Sequence, residues 1–184
     1  MEQSSQVREA LVSQLENEYG KLVYTYTCHL KQAKVSGLVG TIVSWTDITL
    51  TAITTGSLLG LLFTDQKVLA IISAICAALA LMINLYQKEA KITEKATEHL
   101  AFAQKLWLPR EKYISLLTDA PILDNTEIQI QRDKLQETLN DIYSREPMTH
   151  GIAYKMTQRA LKDNEEQFFS RDELNRMLPE SLRR

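Results

Sequence analysis

Cysteine and histidine are scarce in this chain of 184 residues, which holds two of the first and three of the second. Cys28 lies in a polar segment and Cys76 inside an apolar run, so the two are expected at different depths and form no disulfide framework. Unpaired thiols suit a reducing compartment. No CxxC and no cluster with metal-ligand spacing occurs. His29, His99 and His150 stand alone and are expected to face solvent or pack rather than ligate. A Gly-rich phosphate loop is also missing, and the acids are dispersed at helix-surface spacing. With no catalytic constellation, the chain is expected not to be an enzyme and to use no cofactor. Nothing reads as a strand. The net charge of −2 shows no strong excess of either sign, which argues against nonspecific nucleic-acid binding.

What the sequence has is a pair of long runs from which charge is nearly absent. Leu38 to Phe63 contains one charged residue, Asp47, and Val68 to Tyr86 contains none. Only Thr64-Asp65-Gln66-Lys67 separates them, enough to turn a chain and too little for a loop domain. About 20 apolar residues in a helix cross the hydrocarbon core of a bilayer, so the two runs predict a helical transmembrane hairpin. The whole-chain mean hydropathy of −0.20 conceals this, because the flanks are highly polar. Residues 1–36 balance four acids with four bases, and residues 88–184 carry 16 Lys and Arg against 17 Asp and Glu. The runs begin far from Met1, unlike a signal peptide. In a soluble bundle the two apolar helices would need covering on every side, and the rest of the chain is too small to cover them. The expected fold class is therefore an all-α membrane protein. Residues 1–36 form an N-terminal cytoplasmic amphipathic helix, 37–87 the two-span hairpin, and 88–184 a cytoplasmic helical domain.

Lys31 and Lys34 precede the first span, and Lys88, Lys91 and Lys95 follow the second. The positive-inside rule puts both ends in the cytoplasm and Asp65–Lys67 outside, in what would be a bacterial inner membrane. A tight antiparallel turn also sets depth, since residues at one level have numbers summing to about 131. Trp45 then lies level with Tyr86 as an inner aromatic belt, and Asp47 lies level with Asn84. The spans reduce to roughly Thr46–Phe63 and Val68–Leu85, about 27 Å each at 1.5 Å per residue. Val35–Ser44 becomes a helical extension below the membrane or a tilted continuation of the span.

The first span is rich in hydroxyls. Asp47, Thr51, Thr54 and Leu58 share one helix face, and Ala52, Gly56 and Gly60 make a small-residue track on another. Ala70, Ala74 and Ala78 make a second track on the second span. Two such faces cannot both be satisfied within one hairpin, so a homo-oligomer is expected. In an oligomer the hydroxyl stripe, with Asp47 at its inner end, would line a cation-permeable pore that Leu58 and Leu62 constrict. The alternatives are plain. Threonines in membrane helices often bond back to their own i−4 carbonyl, Asp47 can sit at the interface or bond Asn84 in its own chain, and small tracks can serve packing alone.

Beyond Tyr86 the helical period continues. Lys88–Leu106 is expected to extend the second span as a stalk that Trp107-Leu108-Pro109 breaks. A short helix follows at Arg110–Thr118. Asp124 with Glu127 opens a helix to about Ser144, and Thr149 caps another to about Phe168. Ser170 with Glu173 opens a last one, stopped by Pro179. Upstream, Leu11, Leu15, Tyr19, Leu22 and Tyr26 form the apolar stripe of a helix over Gln3–Lys34.

The C-terminal third carries Tyr113-x-x-Leu116-Leu117-x-Asp119, Arg132-Asp133-x-Leu135, Ile142-Tyr143, Pro147-Met148-Thr149, Ala153-Tyr154 and Ala160-Leu161. It closes on Phe169-Ser170-x-x-Glu173-Leu174-x-x-x-Leu178-Pro179-x-x-Leu182-Arg183. This run resembles the SLATT domain, a bacterial two-transmembrane effector domain found beside nucleotidyltransferases and nucleotide-sensing modules in antiphage conflict systems. The resemblance covers nearly the whole chain. It implies a pore-forming or membrane-perturbing effector controlled by a nucleotide or short oligonucleotide from a partner nucleotidyltransferase. With no separate sensing domain in this sequence, the ligand is expected to bind the helical cytoplasmic part. A phosphate-bearing ligand needs converging cations, and Arg132, Arg145, Lys155, Arg159 and Lys162 are the candidates. Each of Arg132, Arg145 and Lys162 adjoins an acid and can equally be neutralised by it. The alternative function is a non-conducting membrane scaffold that recruits a cytosolic partner.

Overall fold

The computed structural model describes residues 2–60, 63 and 67–183, with side chains from Ser4 onward. The turn residues 64–66 and Leu62 lie outside the described residues. The helices are α1 (Glu2–Gly60), α2 (Lys67–Ala90), α3 (Ile92–Asp119), α4 (Asn125–Tyr143), α5 (Gly151–Lys162) and α6 (Arg171–Met177), followed by a 3-10 turn at Glu180–Leu182. Among the described residues there is no strand, and the all-α expectation holds. The chain forms two compact units: Met1–Lys31 with Phe102–Arg184, and Gln32–Ala101.

In the first unit the expected stripe of α1 is the inner face of a helical bundle. Leu11, Leu15 and Leu22 are buried against Phe102, Leu106, Tyr113 and Leu116 of α3 and Ile128, Leu135 and Leu139 of α4, with Tyr19 and Tyr26 half-buried beside them. Each such side chain removed from water contributes roughly 1.5–3 kcal/mol. Polar bonds fix the register of segments far apart in sequence. The Arg8 guanidinium donates to the carbonyls of Ala120 (2.7 Å) and Leu123, closing the α3–α4 turn onto α1. Arg132 Nη1 donates to Gln14 Oε1 at 2.9 Å. Lys31 pairs with Glu166 at 2.5 Å.

Several helix ends fall as the capping residues dictate. Asp124 accepts from the Glu127 N–H at 2.8 Å and opens α4. Ser170 and Glu173 form the full reciprocal box that opens α6. Three expectations need correction. The stalk is not continuous: α2 stops at Ala90, and Lys91 has φ of 48° before α3 begins. Nor does Pro109 end a helix, since α3 runs through it to Asp119. Proline inside a helix removes one ladder bond and costs about 3 kcal/mol. Here Leu106, Tyr113 and Leu116, all buried, hold that stretch helical through packing. Finally, α5 is capped at His150 rather than Thr149 and ends at Lys162, well before Phe168. Glu165 adopts φ of 51°, and the Glu166 N–H closes onto the Ala160 carbonyl at 2.9 Å, which turns the chain out of the helix.

Candidate functional site

The second unit contains the two apolar runs. Both are helical and long and apolar enough to cross a membrane. Their large apolar side chains point outward: Leu38, Ile42, Trp45 and Ile48 on α1, and Ile71, Ile75, Leu81 and Leu85 on α2 are all exposed. Side chains of this kind on the outside of a helix pair suit a hydrocarbon surrounding and would be unsatisfied in water.

The less exposed residues trace the seam between the two helices. On α1 they are Val43, Asp47, Leu50, Thr54, Ser57 and Gly60, and on α2 Leu69, Ser73, Cys76, Ala80 and Ile83. Their steps are all of three or four residues, as two helices packed along a shared stripe require. Ser73 and Ala80 are buried, so the closest approach uses small side chains. A Cβ added at Gly60 would meet Leu69 Cδ2 at 2.9 Å.

One polar pair bridges the two helices at the edge of this seam. Asn84 Nδ2 donates to Asp47 Oδ1 at 2.7 Å and to the Ala80 carbonyl at 2.9 Å. The pair is the one that the level rule placed side by side, and 47 and 84 sum to 131. An acid in apolar surroundings is costly, and a charge-assisted bond from the amide offsets part of that cost. Trp45 and Tyr86, expected at one level, are both exposed beside this pair in sequence.

The remaining expected site residues divide between seam and outer surface. Thr54 shares the seam with Asp47, whereas Thr51 and Leu58 are exposed. Back-bonding to the i−4 carbonyl occurs at Thr46, Thr49, Thr54 and Thr55, at 2.8–2.9 Å. Of the small tracks only Gly60 meets the partner helix. Ala52, Gly56, Ala70, Ala74 and Ala78 are all exposed, and nothing lies within 4 Å of a Cβ placed on Gly56.

Of the candidate cations of the first unit, Arg132 and Arg145 lie apart, whereas Lys155, Arg159 and Lys162 share one face of α5 at i, i+4, i+7 spacing. Arg132 is half-buried, held by Asp133 Oδ1 at 2.7 Å and by Gln14. Arg145 lines a cavity of about 450 Å³ with Lys105, Asp141, Ile142 and Ser144. Thirteen residues separate Arg132 from Arg145, about 20 Å along a helix, too far for one phosphate group to reach both. Lys155, Arg159 and Lys162 are exposed on or at the end of α5. Burial, followed by the charge of Glu18, pushes the Tyr113 hydroxyl up to about 12, and that hydroxyl has no hydrogen-bond partner. Bonding to Ser170 lowers the Glu173 carboxyl below its usual value.

Sequence reasoning missed one buried polar contact altogether. His29 is fully buried, packs at a tilt against Phe102 with ring centres 4.4 Å apart, and bonds Glu146 at 3.1 Å. Its partner lies 117 residues away, and no local pattern announces it. Cys28 and Cys76 are both free. Among the described residues no group of His, Cys, Asp and Glu is arranged to hold a metal ion.

These features define a helical protein with two candidate membrane spans and a polar helical bundle. The model of one family, described as SMODS and SLOG-associating 2TM effector domain family 4, matches residues 11–173. The chain belongs to that family, as the motifs in its C-terminal third anticipate. No curated protein and no solved structure matches the chain.

Proposed function

We propose that the protein is a membrane effector of bacterial antiphage defence. It forms an oligomeric ion-conducting pore in the inner membrane, with both termini cytoplasmic. A nucleotide or short oligonucleotide from a partner nucleotidyltransferase gates it, and the chain acts without catalysis. Membership in a 2TM effector family carries this reading. It is supported by the composition of the first unit, which joins Met1–Lys31 to Phe102–Arg184. Segments on either side of a membrane-crossing hairpin meet in one bundle only if both lie on the same side of the bilayer. The exposed small-residue faces of both spans support assembly, because they leave close-packing surfaces for other copies. In the assembly Asp47, with Thr51 and Thr54, lines the pore, and Leu58 narrows it.

The Asp47–Asn84 bond favours a second reading, in which Asp47 serves hairpin packing and the protein is a non-conducting scaffold for a cytosolic partner. Single-channel current in planar bilayers separates the two. Discrete steps are expected from the wild type, with cation selectivity reduced severalfold in Asp47→Asn. Steps identical in the variant would remove Asp47 from the pore, and silence with and without added nucleotides would favour the scaffold.

A further inference from the structure

Helix α5 carries three cations and no acid. It packs on the bundle through small side chains, Ala153, Thr157 and Ala160, all buried. Lys155, Arg159 and Lys162 each stand two positions beyond one of these. At about 3.6 residues per turn the two sets centre on opposite sides of the helix. All three cations are exposed, and among the described residues none is in an ion pair.

The acids that flank α5 are engaged elsewhere. Glu146, ahead of it, bonds the buried His29 at 3.1 Å, and Glu166, behind it, pairs with Lys31 at 2.5 Å. Asp163 directly follows Lys162 as the C-cap and makes no pair with it. Two of the cations have a local explanation. Arg159 and Lys162 lie in the last turn, where positive charge offsets the helix dipole. Lys155 lies two turns before Lys162, beyond the reach of that effect, and it stands one turn from Arg159, where like charges repel.

An anion held between Lys155 and Arg159 relieves that repulsion. A carboxylate presents two oxygens, which a single guanidinium fills. A phosphate has a third oxygen left for the lysine. Lys155 and Lys162 are about 10.5 Å apart along the axis, so a ligand with phosphates at two points engages the whole face. The helix also lies where such a ligand has consequences. The Tyr154 ring is 5.4 Å from that of Tyr24, and Glu166, whose N–H closes onto the Ala160 carbonyl, reaches Lys31. Lys31 ends the N-terminal part of the first unit, and the chain enters the second at Gln32. We infer that the outer face of α5, formed by Lys155, Arg159 and Lys162, binds a ligand carrying two or more phosphate groups. This inference rests on the ligand-controlled part of the proposed function and gives that control a place on the chain.

Amine acetylation read by mass spectrometry tests it, on the full-length protein in phosphatidylcholine nanodiscs. One probe is a pool of hexaribonucleotides of random sequence, and the other is replacement of part of the lipid by phosphatidylglycerol. With the hexaribonucleotides, acetylation of Lys155 and Lys162 is expected to slow at least fivefold while Lys134, on α4, is unchanged. Slowing in phosphatidylglycerol alone keeps the site and assigns its phosphates to lipid headgroups. Equal slowing at Lys134, or no slowing with either probe, overturns the inference. Arg159→Gln is expected to lower the protection of both lysines severalfold with helix content by circular dichroism unchanged, and protection that survives it overturns the shared face. Single-channel recording keeps this inference apart from the reading it rests on. Protection by hexaribonucleotides that leave the current unchanged keeps the site and rejects the gating. Gating that persists when Lys155→Gln is combined with Arg159→Gln keeps the gating and rejects the site.

Discussion

Tyr113 shows how one side chain carries both a cost and a pH dependence. Its ring fills the centre of the first unit, and its buried oxygen has no partner. Removing an unpaired buried hydroxyl is neutral or stabilising by up to about 1 kcal/mol, so Tyr113→Phe is expected to melt at the same temperature or higher near neutral pH. The alkaline behaviour follows from its hydroxyl being pushed up to about 12. An unfolded tyrosine ionises near pH 10, so between those values the unfolded chain has released a proton that the folded chain retains. The stability is fully present below about pH 10 and is lost as pH rises toward 12. In Tyr113→Phe that loss should be shallower, though not abolished, because burial also raises Tyr143. Thermal melts in detergent followed by circular dichroism from about pH 9 to 12 measure both effects, and an unchanged alkaline slope would contradict the argument.

Among the elements, the break between α2 and α3 sets the sharpest test. It is one residue wide: the Lys91 N–H still bonds the Gln87 carbonyl at 3.1 Å, and the Lys91 carbonyl accepts from Lys95 at 2.9 Å. Left-handed backbone costs a residue with a Cβ about 1–2 kcal/mol, and a β-branched residue more. Lys91→Gly is therefore expected to melt above Lys91→Ile, with the wild type no higher than the glycine variant. A higher melting temperature for the isoleucine variant would mean that a straight α2–α3 helix is the stable form. This break also marks the limit of what sequence alone conveys. Asp124, Ser170 and Glu173 could be read locally because a cap is a contact across three residues. The Asp47–Asn84 pair was accessible too, because a tight hairpin turns numbering into depth. Lys91 offers neither glycine nor proline as a signal. Pro109 misleads in the other direction, since distant packing from α1 and α4 outweighs its local preference. His29–Glu146 and the separation of Arg132 from Arg145 follow only from the assembled bundle.

For the whole molecule, the hairpin's inner seam and its outer faces make separable demands. Gly60 opposes Leu69 within the hairpin, whereas Gly56 and Ala74 face outward. Gly56→Leu is therefore expected to leave the hairpin's own helix content and Asp47–Asn84 contact intact. It should shift the assembly to fewer copies, as counted by native mass spectrometry in mild detergent. An unchanged copy number would show that the small tracks do not join subunits.

The bundle built from Met1–Lys31 and Phe102–Arg184 has a consequence for biosynthesis. As the chain leaves the ribosome, Leu11, Leu15 and Leu22 emerge first, and their partners Phe102 and Tyr113 emerge only after both apolar runs. The first unit cannot close until the hairpin has been made. Insertion of that hairpin is then the event that returns the later half to the earlier one. Until it happens, the N-terminal stripe is an unpaired apolar surface for a chaperone to hold, so a ribosome that stalls before Phe102 leaves the chain without a bundle.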